Sequence, residues 1–391
     1  MRDKTIIAHF AENPADYQGA IVPPIFQNSL YAFADWDAID RAFDDPQNNC
    51  IYSRGKNYGV AMVEEKLAKL AGGEKAKLFA SGMGAISAAI LHFIKAGDHI
   101  ITLKNIYGPA NNFIGSYLKE KMNIESTFIS GKDIKEFESA LRPNTTLIYL
   151  ESPTSAVFSL QDIAAVAELA KKHNIRTIID NTWATFIYQK PLLLGIDLEV
   201  HSCSKYIGGH SDVVAGLVIG SATDIDSIFA REAAWLGAKM APFEAWLILR
   251  SLRTLPLRLE QHQKNTLAVT SYLSTNPKIR KIYYPGLPDF EQRKLAERQM
   301  SGFTGLFAFD LECTELTKIK QFVNALQFFH IGVSWGGHES LVYAPAISYL
   351  KEMSPDKFTA MGISLGTIRF SIGLEDPEDL IADIEQALNF V

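Results

Sequence analysis

The chain contains 391 residues, of which 47% are hydrophobic and 21% are charged, and its formal net charge is −6. This composition is typical of a globular protein of roughly two to three domains and excludes a disordered or collagen-like chain. The weak acidity provides no electrostatic attraction for nucleic acid or an anionic membrane. Three widely spaced cysteines, Cys50, Cys203 and Cys313, form neither a disulfide framework nor a zinc site and suit a reducing compartment.

The N-terminal part of the chain carries no recognisable targeting segment. Its first residues are charged and lack an apolar core of signal-peptide length. The most apolar long stretch, Leu78 to Ile94, is too short and too polar to span a bilayer. We therefore expect a cytoplasmic protein that binds no membrane. Residues 1–55 hold few periodic segments and predict an N-terminal arm that packs on another part of the protein.

From about Lys77, short β-rich runs alternate with amphipathic segments, a pattern that predicts a largely parallel sheet covered by helices on both faces. The predicted strands are Lys77–Phe79, His99–Leu103, Ser126–Ile129, Thr146–Leu150, Arg176–Asp180, Leu198–His201 and Val214–Ile219. The predicted helices are Met83–Lys95, Ala110–Lys119, Asp133–Leu141 and Asp162–His173.

The pattern changes near Ala241. One long helix is predicted from Ala241 to about Tyr272, followed by a turn at Tyr284–Gly286 and a mixture of strands and helices. We therefore expect a large domain at residues 56–245 and a smaller C-terminal α/β domain at residues 246–391.

Two charged residues that follow apolar strands are candidates for a cofactor site. Lys205, in the segment Ser202–His210, lies at the carboxyl edge of the predicted sheet, where ligands bind in open α/β folds. Most lysines are solvated, but a buried lysine amine can form a Schiff base with an aldehyde cofactor. Asp180 ends the run Thr177–Asp180. It is either a cap or turn residue or the partner of a protonated pyridine nitrogen.

Two further segments are candidates for binding a phosphate. The segment Phe79–Ser87 predicts a strand, a small-residue turn and a helix start, whose N–H groups suit an anion. It lacks the third glycine of a dinucleotide fingerprint, and the alternative is a simple tight turn. Arg54, in Ile51–Gly55, is either a solvated residue of the arm or a guanidinium ligand of a phosphate.

Tyr107 and Arg369 complete the candidate residues that the pattern suggests. Tyr107, in Asn105–Pro109, is either a turn residue or a ring that stacks on a flat cofactor and exchanges protons through its hydroxyl. Arg369 lies inside an apolar strand and needs an anionic partner. That partner is either a substrate carboxylate or an internal carboxylate.

In this order, the segments resemble the Cys/Met-metabolism family of pyridoxal-phosphate enzymes, over nearly the whole chain. The resemblance implies fold type I, an aminotransferase-like α/β fold with a large mostly parallel sheet domain and a smaller C-terminal α/β domain. It also implies pyridoxal 5'-phosphate as cofactor. The motifs that carry it are Thr5–His9, Gly19–Ile25, Tyr52–Arg54, Ser81–Met83, Glu151–Thr154, Asp180–Thr182, Ser204–Tyr206, Pro242–Trp246, Leu249–Arg258 and Ile368–Glu375.

Within the family, two motifs are most similar to those of cystathionine β-lyases. They are Asp180–Ala184 and Ser334–Leu341, where γ-synthases and γ-lyases commonly have leucine in place of Trp335. Tyr107 is followed by Gly108-Pro109, without the cysteine typical of methionine γ-lyases. This implies β-elimination of cystathionine or a related sulfur amino acid to homocysteine, pyruvate and ammonia, as in methionine biosynthesis. γ-Elimination or γ-replacement on cystathionine or O-acylated homoserine remains the alternative.

The resemblance implies roles for the residues around the reacting atoms. Lys205 binds the cofactor covalently and, once displaced, acts as a base at Cα. Asp180 keeps the pyridine nitrogen protonated, and Tyr107 stacks on the ring. Arg369 binds the substrate carboxylate with help from Ser334. With these residues intact, an enzyme is favoured over a non-catalytic binder of the cofactor.

The resemblance also implies a homo-oligomer, expected to be a dimer of dimers, because part of the phosphate site is contributed by a neighbouring subunit. The predicted phosphate ligands are Gly82, Met83, Ser202 and Ser204 of one subunit and Tyr52 and Arg54 of its neighbour.

Overall fold

The computed structural model describes residues 1–348, 351, 358 and 361–391. Among these residues, no helix has the length and apolar character needed to cross a membrane. The helices of the described part are α1 Asp3–His9, α2 Trp36–Asp44, α3 Tyr58–Ala71, α4 Gly82–Phe93, α5 Gly108–Asn112, α6 Leu118–Met122, α7 Ile134–Ala140, α8 Ile163–Lys172, α9 Thr185–Tyr188, α10 Ala222–Ile228, α11 Ala234–Leu236, α12 Pro242–Leu252, α13 Leu255–Ser274, α14 Arg293–Gln299, α15 Leu316–Ala325 and α16 Pro377–Ala387.

The described strands form two sheets. The first contains β1 Lys75–Phe79, β2 His99–Leu103, β3 Glu125–Ile129, β4 Thr145–Glu151, β5 Arg176–Asp180, β6 Leu198–Ser202 and β7 Gly216–Gly220. The second contains β8 Ile279–Tyr283, β9 Leu306–Leu311, β10 His330–Ile331, β11 Leu341–Tyr343 and β12 Thr367–Ser371.

The large sheet has the strand order β1-β7-β6-β5-β4-β2-β3. β7 runs antiparallel to both neighbours, and the other pairs are parallel. Its central strands are buried on both faces because helices cover each side. The predicted α/β fold with a large, mostly parallel sheet is therefore confirmed. The strand positions follow the apolar runs of the sequence to within two residues.

The single helix predicted from Ala241 to Tyr272 is wrong, because the structure divides this stretch into α12 and α13. Arg253 and Thr254 separate the two helices. Pro256 lies in the first turn of α13. Proline lacks a backbone N–H and clashes with the preceding turn of a continuing helix, so it is tolerated at a helix start and not in the middle of a long helix.

The second sheet has the order β10-β11-β12-β9-β8 and places Arg369 on its central strand, β12. Its core is rich in aromatic rings, with Phe370 in contact with Phe307, Phe309 and Phe329. Helices α13, α15 and α16 pack with this sheet. The strand that carries Arg369 therefore rests on a tightly packed support.

The N-terminal arm is anchored at its start and exposed further along. Ile6 and Ile7 of α1 are buried against α3, and the buried Lys66 Nζ donates to the Ile7 carbonyl (2.7 Å) and pairs with Glu12. Beyond this anchor, large apolar side chains face solvent in the single chain. Trp36, for example, is 81% exposed.

Candidate active site

The carboxyl ends of β4, β5 and β6 bring the first group of candidate residues together. Glu151 at the end of β4 is the register partner of Asp180 at the end of β5. Asp180 in turn pairs with Val200 of β6, and the segment that carries Lys205 follows the end of this strand. Parallel strands that end at one edge place these side chains around a common crevice, as the sequence predicts.

Asp180 is buried and only partly satisfied. Its Oδ1 accepts hydrogen bonds from the Thr182 backbone N–H (2.9 Å) and the Thr182 hydroxyl. Burial raises the pKa of Asp180, while those hydrogen bonds and the nearby side chains of His201 and Lys205 oppose the rise. No described residue donates to its Oδ2. Within the described residues, Asp180 forms no direct ion pair, so this oxygen can accept from a bound cationic group.

Thr182 has a positioning role that the sequence analysis missed. Besides donating to Asp180, its hydroxyl accepts from the Ser202 backbone N–H at 2.8 Å. One side chain therefore links the ends of β5 and β6. The signal was available, since a threonine two residues after an aspartate is a common side-chain-to-backbone turn.

Lys205 lies between the two sheets. Its Nζ donates to the Ser334 hydroxyl and is 5.6 Å from the centroid of the Trp335 ring. Burial lowers the pKa of Lys205 to about 8, and the Arg369 charge acts in the same direction, while Asp180 opposes it. At pH 7, roughly a tenth of the amine is therefore unprotonated and nucleophilic, and this fraction grows as the pH rises.

The loop after β10 supplies the opposite wall. Arg369 Nη2 donates to the Ser334 carbonyl (3.1 Å), and its guanidinium lies 5.0 Å from the Tyr343 ring centroid. Ser334 has φ +77° and Gly336 has φ +84°. A Cβ on Gly336 would lie 2.9 Å from the Tyr206 nitrogen, so glycine lets this loop approach the Lys205 segment closely.

The start of α4 forms a cradle with the end of β6. Ser81 caps the helix by accepting from Gly84 N–H (3.0 Å), and the N–H groups of Gly82 and Met83 precede the first intrahelical bonds. A Cβ on Gly82 would lie 3.1 Å from the Ser202 hydroxyl oxygen. No described residue hydrogen-bonds to that hydroxyl, which is free for an anion.

Hydrogen bonds that involve the backbone hold Ser204 and Tyr107 in place. The Ser204 hydroxyl accepts from Ala215 N–H at 3.0 Å and donates to the Ala215 carbonyl at 3.4 Å. The Tyr107 N–H donates to Glu151 Oε2 at 2.7 Å. Burial and the nearby acids Asp180 and Glu151 raise the pKa of Tyr107, so its hydroxyl stays protonated at neutral pH.

Glu151 is a second site residue to which the sequence analysis assigned no role. Besides holding the Tyr107 backbone, it accepts from the Ser155 hydroxyl at 2.6 Å. Burial and the neighbouring Asp180 raise its pKa to about 8. Because Glu151 and Asp180 are paired across β4 and β5, the two carboxyl groups resist simultaneous ionisation.

Tyr52 and Arg54 are not brought to Lys205 within one chain. Arg54 is exposed and lies over the half-exposed Tyr52 ring (5.5 Å), and Tyr52 forms an isolated bridge with Leu30. In the described part of the chain, no hydrogen bond, ion pair or ring contact links them to the other candidates. Among the remaining candidates, Lys205 contacts Ser334 and Trp335, and Arg369 contacts Ser334, while Glu151 links Tyr107 to Asp180.

Comparison with known proteins identifies the family. Residues 4–389 match the family described as "Cys/Met metabolism PLP-dependent enzyme". The chain belongs to this family. It resembles the L-methionine γ-lyase of Porphyromonas gingivalis (40% identity; 95% of this chain and 93% of that protein). It also resembles the cystathionine γ-lyase of Bacillus subtilis (35%; 99% and 99%) and the cystathionine β-lyase of Coxiella burnetii (34%; 98% and 97%).

This membership establishes pyridoxal 5'-phosphate as the cofactor and fold type I as the fold. The coarse activity is that of a carbon–sulfur lyase of sulfur amino acid metabolism, with a small-molecule substrate. The residues present fit the cofactor. Asp180 offers an oxygen that accepts from no described donor to a cationic ring nitrogen, the Gly82–Ser202 cradle offers donors to a phosphate, and Lys205 offers a partly neutral amine to an aldehyde.

Proposed function

We propose that the chain cleaves cystathionine by β-elimination, releasing homocysteine, pyruvate and ammonia. The observation that carries this proposal is the position of Trp335. Its ring lies 5.6 Å from Lys205 Nζ and packs on the Tyr206 ring with a centroid separation of 5.4 Å. Tyr206 is itself fully buried and supports the indole, which forms a flat wall beside the base.

A flat aromatic wall at this place limits where the distal part of the substrate lies. β-Elimination needs removal of the Cα proton and loss of thiolate from Cβ. γ-Elimination needs an additional proton removal at Cβ, and therefore room for the lysine and the substrate chain to shift. The Trp335 ring, close to Lys205 Nζ and packed on Tyr206, restricts that room.

The residues around the substrate have distinct proposed roles. Arg369 binds the α-carboxylate through its guanidinium, next to Ser334, and so orients Cα toward Lys205 Nζ. Lys205, with a pKa near 8, removes the Cα proton as the neutral amine. Tyr107 remains protonated and is a hydrogen-bond donor beside the leaving group. Pyridoxal phosphate, when bound, supplies an electron sink for the negative charge at Cα.

The proposed cofactor contacts follow the same geometry. Asp180 Oδ2 pairs with the ring nitrogen. Gly82, Met83 and Ser202 would bind the phosphate at the start of α4, and Ser204 would add its hydroxyl if the hydroxyl turned from the Ala215 carbonyl to the phosphate.

We also propose that the active enzyme is a homo-oligomer, with Tyr52 and Arg54 completing the phosphate site of a neighbouring subunit. Both side chains lie at the surface of the single chain, and the same N-terminal segment also exposes large apolar residues. Exposed apolar groups of this size, such as Trp36 and Ile21, indicate a protein interface.

A second activity, γ-elimination, is favoured by the comparisons, since relatives with 40%, 37% and 38% identity to this chain are named L-methionine γ-lyase. The two activities make different products from cystathionine. β-Cleavage gives pyruvate, and γ-cleavage gives 2-oxobutyrate.

The role of Trp335 is tested by measuring both products from wild type and Trp335→Leu. We expect the wild type to release mainly pyruvate and the variant to release a larger share of 2-oxobutyrate. Phe328→Leu, which changes an exposed aromatic residue of the same sheet region, is the matched control and should keep the wild-type ratio. A Trp335→Leu enzyme with unchanged rate and product ratio contradicts the proposed role of this wall.

A further inference from the structure

A buried polar network lies on the opposite face of the large sheet from Asp180. Its members are Glu199, His201, Asn181 and Gln189, here called the Glu199 network, and each is at most 1% exposed. Side chains alternate between faces along a strand. Asp180 pairs with Val200, so Glu199 and His201 project from the other face of β6.

The network joins the ends of three strands. Glu199 Oε1 accepts from Asn181 Nδ2 and lies near His201 Nε2, both at 2.7 Å. Gln189 Nε2 donates to Asn181 Oδ1 and to the Ser152 carbonyl, both at 2.9 Å. These hydrogen bonds connect β6 to Asn181, which follows Asp180, and Asn181 to Ser152, which follows Glu151. The main-chain pairing of these strands ends at this level.

Stability alone does not account for this arrangement. Glu199 Oε2 and His201 Nδ1 are buried and have no hydrogen-bond partner in the described part of the chain. Burying a carboxylate with one unpaired oxygen lowers the stability of the folded state. Replacing buried charged groups by apolar residues of similar volume is often neutral or stabilising. A buried polar group retained at such a cost is better explained by the geometry that it specifies.

We infer that the Glu199 network is a positioning network that sets the spacing between the strand ends at Glu151 and Asp180 and the end of β6, which leads into the Lys205 segment. It acts through Asn181, which directly follows Asp180 in the chain, so displacement of Asn181 tilts the Asp180 carboxylate away from the cofactor's ring nitrogen. This inference rests on the proposed cofactor contacts, and it is independent of which carbon–sulfur bond is cleaved.

The test compares Glu199→Val, which removes the acceptor, with Glu199→Gln, which keeps an oxygen for Asn181 and His201. Measurements on the purified holoenzyme are the cofactor dissociation constant, the absorbance of the bound cofactor without substrate, kcat, KM and the melting temperature. We expect Glu199→Val to bind the cofactor about tenfold more weakly, to shift its absorbance, and to lower kcat with little change in KM. Glu199→Gln should recover most of each property.

Asp383→Ala is the matched control, because it removes another buried carboxylate, which accepts from the Gln327 and Phe328 N–H groups of the smaller region. It should lower the melting temperature without changing cofactor affinity or absorbance. If Glu199→Val does not fold, Gln189→Met breaks the other end of the network and should give the same pattern. The inference is overturned if the folded variant keeps the wild-type cofactor affinity, absorbance and kcat. It is also overturned if Asp383→Ala loses as much cofactor affinity as the network variant. Substrate-free cofactor measurements separate this outcome from an error in the proposed reaction.

Discussion

The carboxyl edge of the large sheet and the loop after β10 face the same lysine, but different interactions hold them in place. At the sheet edge, Glu151 and Asp180 end strands that are paired on both sides and buried on both faces. The loop instead reaches Lys205 through left-handed backbone at Ser334 and Gly336, and Ser334 is exposed. Rigid strands suit the invariant demands of a cofactor, whereas a loop is where substrate preference is easily varied.

Removing the lysine shared by the two regions should have the largest effect. Lys205→Ala is expected to lose the absorbance band of the lysine-bound cofactor and roughly 10²–10⁴-fold in kcat, because the base is gone. Absorbance spectra and single-turnover rates measure both. Lys95→Ala, which changes an exposed lysine, is the control. A Lys205→Ala enzyme with the wild-type spectrum and turnover would refute its assignment.

The next comparison adds the neighbouring subunit. Arg54→Ala and Lys205→Ala should each be nearly inactive alone, and mixed oligomers should recover activity because some hybrid sites contain both native residues. Recovery is measured after co-expression with two affinity tags and tandem purification. If verified mixed oligomers stay as inactive as the parents, Arg54 does not serve a neighbouring subunit's site.

A change confined to the loop side should mainly affect substrate binding. Arg369→Lys replaces a two-pronged guanidinium with a single ammonium, so KM for the amino acid is expected to rise roughly tenfold or more. The cofactor spectrum should be unchanged. Arg280→Lys, on β8 of the same sheet and paired with Asp310, is the matched control. A loss of cofactor binding with unchanged KM would show that Arg369 serves the cofactor and not the substrate.

The smallest effect concerns the influence of the Arg369 charge on the pKa of Lys205. Burial and the Arg369 charge lower the Lys205 pKa from its usual value to about 8. The neutral amine therefore increases as pH rises through about 8, and covalent attachment of the cofactor to the cofactor-free protein should accelerate over that interval. Arg369→Met removes a positive charge, so its midpoint should move to higher pH. A midpoint that is unchanged or moves to lower pH contradicts this link.

The sequence predicted the strands of the large sheet well because each is a short apolar run bounded by polar residues or glycine. It also placed Asp180 and Lys205 at the correct edge, since the carboxyl ends of parallel strands meet there. The break between α12 and α13 was missed, although Pro256 marks it.

Contacts between different strands cannot be predicted from the residue pattern within one strand. The pairing of Glu151 with Asp180 follows from the register of β4 against β5, and the Glu199 network follows from three strand ends at once. The approach of Trp335 to Lys205 depends on how the two sheets pack together. These contacts join residues that are distant in sequence, so local periodicity predicts none of them.

The most direct test of the central claim is the ratio of 2-oxo acids that the wild-type holoenzyme releases from cystathionine. The products are separated by mass under initial-rate conditions, with methionine tested in parallel. β-Elimination beside the Trp335 wall predicts mainly pyruvate together with homocysteine, and little 2-oxobutyrate from either substrate. Mainly 2-oxobutyrate from cystathionine, or rapid release of 2-oxobutyrate from methionine, would contradict the β-lyase proposal.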